Sequence, residues 1–475
     1  MERKQRRSGA ALNSLLLTLV QVVTTVLGII VTKLLSVHFS LEEYGTYSQA
    51  LLITTTATSI SILGLTNATN YFYNRTDDSG SKKKYLATIF SIQYLVGILI
   101  AIFLILFREP IASYFGNDRL GNIMLVVAFT PLLTNLIAMY QNLFVSIGEA
   151  KKIAARNFIV SFVKLLAVIV ACFVTRNIVT VLVVILITDI LQVSKDQWLI
   201  WYTDARKELV KEILKFSIPM AIYVMTNSLS RDIDKYVISA FSDTATLAVY
   251  SNAAKILPFD LLTSSLITVL VQEEKWEAQK LFKLYLRIGY ILTCAFVGGA
   301  IAVSRYLMLF LYDSKYMAGY SVFVIYLFVD MIRFANVTTI LSGSGKTKTL
   351  MTISIITLIL NAFFNVVAYF FFGMIGPAIT TLVLTFFMNV SLLHFGAKEI
   401  ESTILHLFDI KEMIVVGAEI LVLGCGAHYL ADVLSNKGIS LFFILAISFG
   451  TYCVMILLLN YRRIIDCLKK LNQYK

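Results

Sequence analysis

Asn227, Arg231, Asp232, Asp234 and Lys235 crowd into a few residues of an otherwise apolar stretch. Positions three and four apart are neighbours on a helix, so 227, 231 and 234/235 share one face. Two chemistries fit that spacing. Arg231 with Asp234 and Asp232 with Lys235 neutralise one another as ion pairs, or the face lines a wet cavity where Arg231 meets an anion that Asp234 helps to orient. Further cations stand inside apolar stretches: Lys33, Lys164, Lys255 and Arg333. Lys164 shares a face with Asn157 and Ser161. Arg333 follows Asp330 at ion-pair spacing. Lys33 lies near the end of its stretch, where a long side chain can reach the interface. Lys255 shortly precedes Pro258 in the most interrupted stretch. Amides and hydroxyls add two stripes, Asn13, Gln21, Thr24, Gly28 and Thr32 early in the chain and Ser354, Thr357, Asn361 and Asn365 late in it. Such stripes either hydrogen-bond helix to helix or form walls suited to sugar hydroxyls.

The elements that must carry these groups follow from composition. The 475 residues are 58% hydrophobic and 15% charged, against roughly 45–50% and about 25% in soluble chains. About 20 apolar residues cross a bilayer as a helix, and fourteen stretches qualify, near 12–36, 47–66, 85–107, 120–147, 153–175, 177–201, 213–240, 245–271, 286–304, 319–342, 349–372, 374–395, 412–433 and 439–461. The expected fold is therefore an all-α, polytopic membrane protein. Ionisable groups within a bilayer are costly and usually face a partner or an aqueous path, which is why the few named above matter.

The chain carries 41 Lys and Arg against 29 Asp and Glu, a net charge of +12. On a soluble chain this would suggest nucleic acid. Here most of the basic residues fall in the terminal segments and in every second loop, including Arg3, Lys4, Arg6 and Arg7, Lys82 to Lys84, Lys151 and Lys152, and Arg462, Arg463, Lys469 and Lys470. Short loops rich in Lys and Arg stay cytoplasmic. The chain is thus expected in the cytoplasmic (inner) cell membrane with both termini on the cytoplasmic side, and no nucleic-acid partner is expected. The outer connections are all short, which argues against an enzyme of sugar-lipid assembly with an external catalytic domain.

The sequence resembles itself at an offset near 200. Leu35-Ser36 and Tyr47-Ser48-Gln49-Ala50 return as Ile238-Ser239 and Tyr250-Ser251-Asn252-Ala253, and Ser146 to Lys151 is matched by Gly343 to Lys348. Two lobes of six spans, 1–208 and 209–397, are expected, with 398–475 as an added helix pair and a basic tail. Transporters are commonly built from such repeats. Pro131, Pro219 and Pro258 mark hinge candidates. Gly343-Ser344-Gly345-Lys346-Thr347 is not a phosphate loop, since Ile340 replaces the required Gly and a short turn between spans replaces the strand. The five Cys and four His show no metal-ligand spacing, and no cofactor is expected.

The chain also resembles the polysaccharide-flippase branch of the multidrug/oligosaccharidyl-lipid/polysaccharide exporter superfamily, which includes O-antigen, teichoic-acid and lipid II flippases. The resemblance rests on Phe39-Ser40-Leu41-Glu42-Glu43-Tyr44-Gly45-Thr46-Tyr47, on Lys215-Phe216-Ser217-Ile218-Pro219, and on Asp234-Lys235-Tyr236-Val237-Ile238 followed by Val249 to Ile256. It continues in Gly345-Lys346-Thr347-Lys348, in Asn361 and Asn365, and in Gly373-Met374-Ile375-Gly376-Pro377-Ala378. Ala248 departs from the family's usual Gly in the second copy of the first motif. The resemblance implies two six-helix lobes in a V and alternating access around a cavity for a polyprenyl-pyrophosphate-linked oligosaccharide. It also implies that Arg231, Lys235 and Lys255 engage pyrophosphate or acidic sugars.

The expected substrate-binding set is Arg231, Asp234, Lys235, Lys255, Lys164, Lys33, Arg333, Asn361 and Asn365. Expected partners are the lipid-linked oligosaccharide, membrane lipids, and a polysaccharide polymerase or glycosyltransferases. The rival readings are a drug/cation antiporter of the same superfamily, a membrane enzyme of sugar-lipid synthesis, and a non-transporting assembly partner. The antiporter reading is disfavoured because the first span has Lys33 and neither Asp nor Glu.

Overall fold

A computed structural model describes residues 2–76, 78–196, 204–256, 275–334, 337–344 and 346–473. Among these, every regular element is helical. The order begins α1 (Glu2–His38), α2 (Leu41–Ser61), α3 (Leu65–Arg75), α4 (Ser79–Leu106), α5 (Arg108–Tyr114), α6 (Asp118–Val127), α7 (Thr130–Ser146), α8 (Ala150–Thr175), α9 (Ile178–Asp196), α10 (Lys207–Phe241) and α11 (Thr244–Ala253). It continues α12 (Lys275–Ala302), α13 (Ser304–Leu311), α14 (Tyr320–Ile332), α15 (Thr338–Gly343), α16 (Thr347–Phe372), α17 (Ile375–Glu399), α18 (Ile404–Leu407), α19 (Ile410–Asn436), α20 (Leu441–Leu459) and α21 (Tyr461–Gln473). This is an all-α polytopic membrane protein.

Eleven helical segments among the described residues are long and apolar enough to cross a membrane. Of the three other expected spans, 177–201 contains the shorter apolar helix Ile178–Ser194. The span at 213–240 lies in α10, whose charged face interrupts its apolar run. The span at 245–271, and Pro258 with it, falls largely outside the described residues. Large side chains such as Leu95, Leu99, Phe103, Phe371, Phe372, Leu421 and Val422 point outward. On a soluble protein so much exposed apolar surface would drive association, whereas here it is the surface that meets lipid.

The chain packs as two compact units, 1–248 and 249–475. The lobes expected from sequence divide at 208/209 instead. The difference arises because α10, the first helix of the expected second lobe, packs on α2, α3 and α4. The core of the first unit joins Leu65, Phe72, Phe90, Leu136, Met139, Tyr140 and Ile213. In the second unit α12 is central, packing on α14, α19 and α20. The 398–475 segment thus sits within this unit. Tyr452 donates to the Cys294 carbonyl at 3.1 Å, fastening α20 to α12.

Helix boundaries make the internal repeat visible. α1 ends at His38 and α2 begins at Leu41; α10 ends at Phe241 and α11 begins at Thr244, a constant shift of 203. The break from α7 to α8 and that from α15 to α16 are related by a shift of 197, as are the break from α8 to α9 and that from α16 to α17. Burial repeats as well: Leu35, Ser36, Tyr47 and Ala50 are buried, and so are Ile238, Ser239, Tyr250 and Ala253. Capping keeps its position and changes its chemistry. Ser40 accepts from the Glu43 N–H at 3.2 Å while Glu43 reaches back to the Ser40 N–H at 3.0 Å. At the shifted positions Asp243 accepts from the Thr246 N–H at 2.6 Å. Each cap satisfies one of the backbone donors that a helix start leaves open.

Two prolines behave differently. Pro131 lies in the first turn of α7, where its missing N–H costs nothing. Pro219 lies inside α10, where it removes a helix hydrogen bond and loosens that turn.

Candidate functional site

The helix stripes singled out by sequence acquire a common frame through the repeat. Shifted by 203, Thr24, Gly28 and Thr32 of α1 fall on Asn227, Arg231 and Lys235 of α10. The neutral stripe and the charged face are the same face of the same element in two copies. Shifted by 197, Lys164 of α8 falls on Asn361 of α16. Two copies of one helix plan therefore present different polar groups at equivalent positions.

On α10, Lys235 Nζ lies 2.6 Å from Asp232 Oδ1. Both side chains are largely buried, and the pair spans one helical turn. The Asp234 carboxylate is buried and accepts from the Lys235 backbone N–H at 2.8 Å. Arg231 is exposed on the same helix. Of the two ion pairs expected from spacing, the structure forms Asp232 with Lys235. The next residue, Tyr236, donates to Thr56 Oγ1 at 2.7 Å, which fixes this part of α10 against α2. Gln49 anchors the helix as well, donating to Ser239 Oγ at 3.2 Å while accepting from Asn117 at 2.6 Å. The charged face is thus carried on a segment held by buried polar contacts.

Lys164 Nζ lies 2.6 Å from Asp189 Oδ1, and Asp189 is buried between α8 and α9. Sequence grouped Lys164 with Asn157 and Ser161 on its own helix; the carboxylate comes from the next one. Asn157 instead accepts from Gln141 Nε2 at 3.3 Å. Asn361 and Asn365 are both buried in the second unit. Asn365 places both amide atoms in the interior with no hydrogen-bond partner among the described residues. Lys33, Lys255 and Arg333 are half-buried. Arg333 closes α14, whose last turn buries Asp330. Lys33 and Lys164 belong to the first unit and Lys255, Arg333, Asn361 and Asn365 to the second.

Sequence reading passed over a polar cluster in the second unit. Arg287 Nε lies 2.6 Å from Glu412 Oε2, and Arg463 Nε lies 3.5 Å from the other oxygen of the same carboxylate. Arg463 also reaches Glu419 at 3.4 Å, and Asn460 donates to Glu419 at 2.6 Å. Arg287, Glu412 and Arg463 lie at or just beyond the ends of apolar stretches, on three different helices, so no spacing within one stretch groups them. The one sequence signal was Glu419, an acid seven residues into a span from Glu412, which places the two on one helical face.

Comparison with known proteins agrees with this architecture. The family model described as "Polysaccharide biosynthesis protein" matches residues 30–318. No curated protein matches the chain. Among solved structures, the lipid II flippase MurJ in an inward closed conformation is similar over 95% of this chain and 100% of its own, with a TM-score of 0.74 and 16% identity. An inward-facing multidrug-resistance transporter of the MATE family is similar over 80% of this chain and 94% of its own, with a TM-score of 0.63 and 13% identity. A MOP-superfamily transporter from Pyrococcus furiosus Vc1 is similar over 82% and 95%, with a TM-score of 0.59 and 12% identity. At such identities the likeness is one of fold. The fold is the one these structures share, and the matched family model makes the chain a member of the polysaccharide biosynthesis protein family.

Proposed function

We propose that the protein is a flippase that carries a polyprenyl-pyrophosphate-linked oligosaccharide from the cytoplasmic to the outer leaflet by alternating access, for cell-surface polysaccharide synthesis. The observation that carries this reading is the pair of equivalent helix faces, neutral in α1 and charged in α10, within a family of polysaccharide biosynthesis. A glycan presents hydroxyls and a pyrophosphate presents negative charge, and the two faces match those chemistries in turn. Transport rather than catalysis fits the short outer connections, and the charge pattern of the loops supports both termini on the cytoplasmic side.

In this proposal 1–208 and 209–397 act as the two six-span lobes, with 398–475 appended. Arg231 is the principal anion-binding group, because Lys235 and Lys164 are each held by a carboxylate. Asp234, Lys255, Lys33, Arg333, Asn361 and Asn365 complete the substrate-binding set. The polymerase or glycosyltransferases that act on the same carrier are the proposed partners. A double Arg231→Ala/Lys255→Ala variant tests the site. It is expected to reach the membrane at normal levels and to lose surface polysaccharide; full polysaccharide output from that variant overturns the assignment.

A further inference from the structure

The second unit contains a cavity of about 390 Å3 lined by Lys280, Lys283, Arg287 and Lys470, by Asp409 and Glu412, and by an apolar wall that includes Tyr290 and Phe408. Its volume lies in the low part of the range for small-molecule sites, roughly 300–1,000 Å3. The cavity sits where three membrane helices end. The spans Gln279–Ala302 and Ile410–Asn436 begin beside it, and Leu441–Leu459 ends just before the helix that supplies Lys470. That depth is the headgroup region, on the side that carries the basic loops.

The lining is built rather than accidental. Cys467 of α21 is buried against Leu284 and Ile288 of α12, which brings Lys470 to the rim. Tyr290 donates to the Met413 carbonyl at 3.2 Å, tying the wall of α12 to the start of α19. Asp409 caps α19 by accepting from the Glu412 N–H at 3.3 Å. Glu412 is claimed by Arg287 and Arg463. Both carboxylates are thus engaged within the wall, Glu412 with Arg287, while Lys280, Lys283 and Lys470 line the same space. Positive charge beside an apolar wall at headgroup depth is complementary to a phosphate diester carrying acyl chains, each basic group near an anionic membrane surface contributing about 1 kcal/mol.

We propose that this cavity binds the phosphate of an anionic phospholipid of the surrounding membrane, with Lys283 and Lys470 as its principal contacts and the Leu284–Phe408 wall receiving the first methylenes. The cavity's lining shares no residue with the proposed substrate-binding set, and the proposal rests on the membrane-spanning fold and not on the identity of the cargo. Arg287 holds Glu412 and is left unchanged in the test.

Native mass spectrometry of the delipidated full chain, titrated with phosphatidylglycerol or phosphatidylcholine of matched acyl chains and with inorganic phosphate, checks the proposal. The native protein is expected to retain one phosphatidylglycerol at concentrations where phosphatidylcholine is not retained. Lys283→Gln/Lys470→Gln is expected to weaken that retention roughly thirtyfold with an unchanged melting temperature, while Lys152→Gln/Lys437→Gln, which removes equal charge elsewhere, leaves it intact. Equal retention of the two lipids overturns the proposal, as does unchanged retention in the cavity variant or an equal loss in the control. Displacement of phosphatidylglycerol by inorganic phosphate at equal concentration overturns the lipid assignment in favour of a free-anion site. No cargo is present in this assay, so its failure leaves the flippase reading standing, and failure of the surface-polysaccharide test leaves this site standing.

Discussion

The Lys164 ammonium and the Asp189 carboxylate meet at 2.6 Å between α8 and α9, with Asp189 almost fully buried. The equivalent of Lys164 in the second copy is Asn361, so one copy joins its helix pair with charge and the other does without it. Removing one member of such a pair leaves a charge unpaired in apolar surroundings, which costs more than removing both. Asp189→Asn is expected to destabilise the detergent-solubilised protein by about 1–3 kcal/mol, and Asp189→Leu/Lys164→Met to recover most of the loss. Thermal unfolding of the three proteins in one detergent measures this; a double variant less stable than the single one contradicts it.

Arg231 and Lys235 share a face and differ in role. Lys235 is paired with Asp232, so Asp232→Asn is expected to lower the melting temperature along with surface polysaccharide. Arg231 is exposed, and Arg231→Ala is expected to lower polysaccharide output with the melting temperature unchanged. Quantifying surface polysaccharide and thermal stability on the same variants separates the two effects.

Gly64 joins α2 to α3 at φ +68°, and a Cβ there would come within 2.5 Å of the Ser217 carbonyl oxygen. Gly116 has φ +59° with no atom near its missing Cβ. Gly116→Ala should therefore cost only the backbone conformation, about 1–2 kcal/mol. Gly64→Ala should cost more, because α10 must also move. The order of the two melting temperatures is the test.

Asp243 caps α11, and hydrogen bonds from the Thr246 hydroxyl and N–H hold its carboxyl below the ordinary value of 3.8. A carboxyl depressed on folding adds stability that is complete above 3.8 and is lost as pH falls through the lower folded value. Asp243→Ser, which installs the cap used at Ser40, is expected to remove that acid-side loss while Asp243→Ala loses the cap at neutral pH. Hydrogen exchange of the first turn of α11 across an acid titration reads both outcomes.

Much of this organisation was legible without coordinates because it depends on local rules. Apolar length marked the spans, since a backbone in lipid must satisfy its own hydrogen bonds within one helix. The doubling was legible in Tyr47-Ser48-Gln49-Ala50 and Tyr250-Ser251-Asn252-Ala253, because both copies bury the first, third and fourth positions. The Asp232–Lys235 pair was legible because its partners are three residues apart. The pairing of Lys164 was not, since Asp189 lies on another helix and no periodicity within α8 points to it. The three-way contact of Arg287, Glu412 and Arg463 was hidden for the same reason, its members coming from α12, α19 and α21.

The sequence by itself determined the solvent, the helical class and the two-copy plan, because transfer into lipid, helix periodicity and repetition are read along one strand of chain. Only the tertiary structure decided which charges are already spent. A cation in a span is a candidate for substrate until a carboxylate from another helix is found against it, and that proximity is fixed by packing across distances in sequence over which local preferences carry no information.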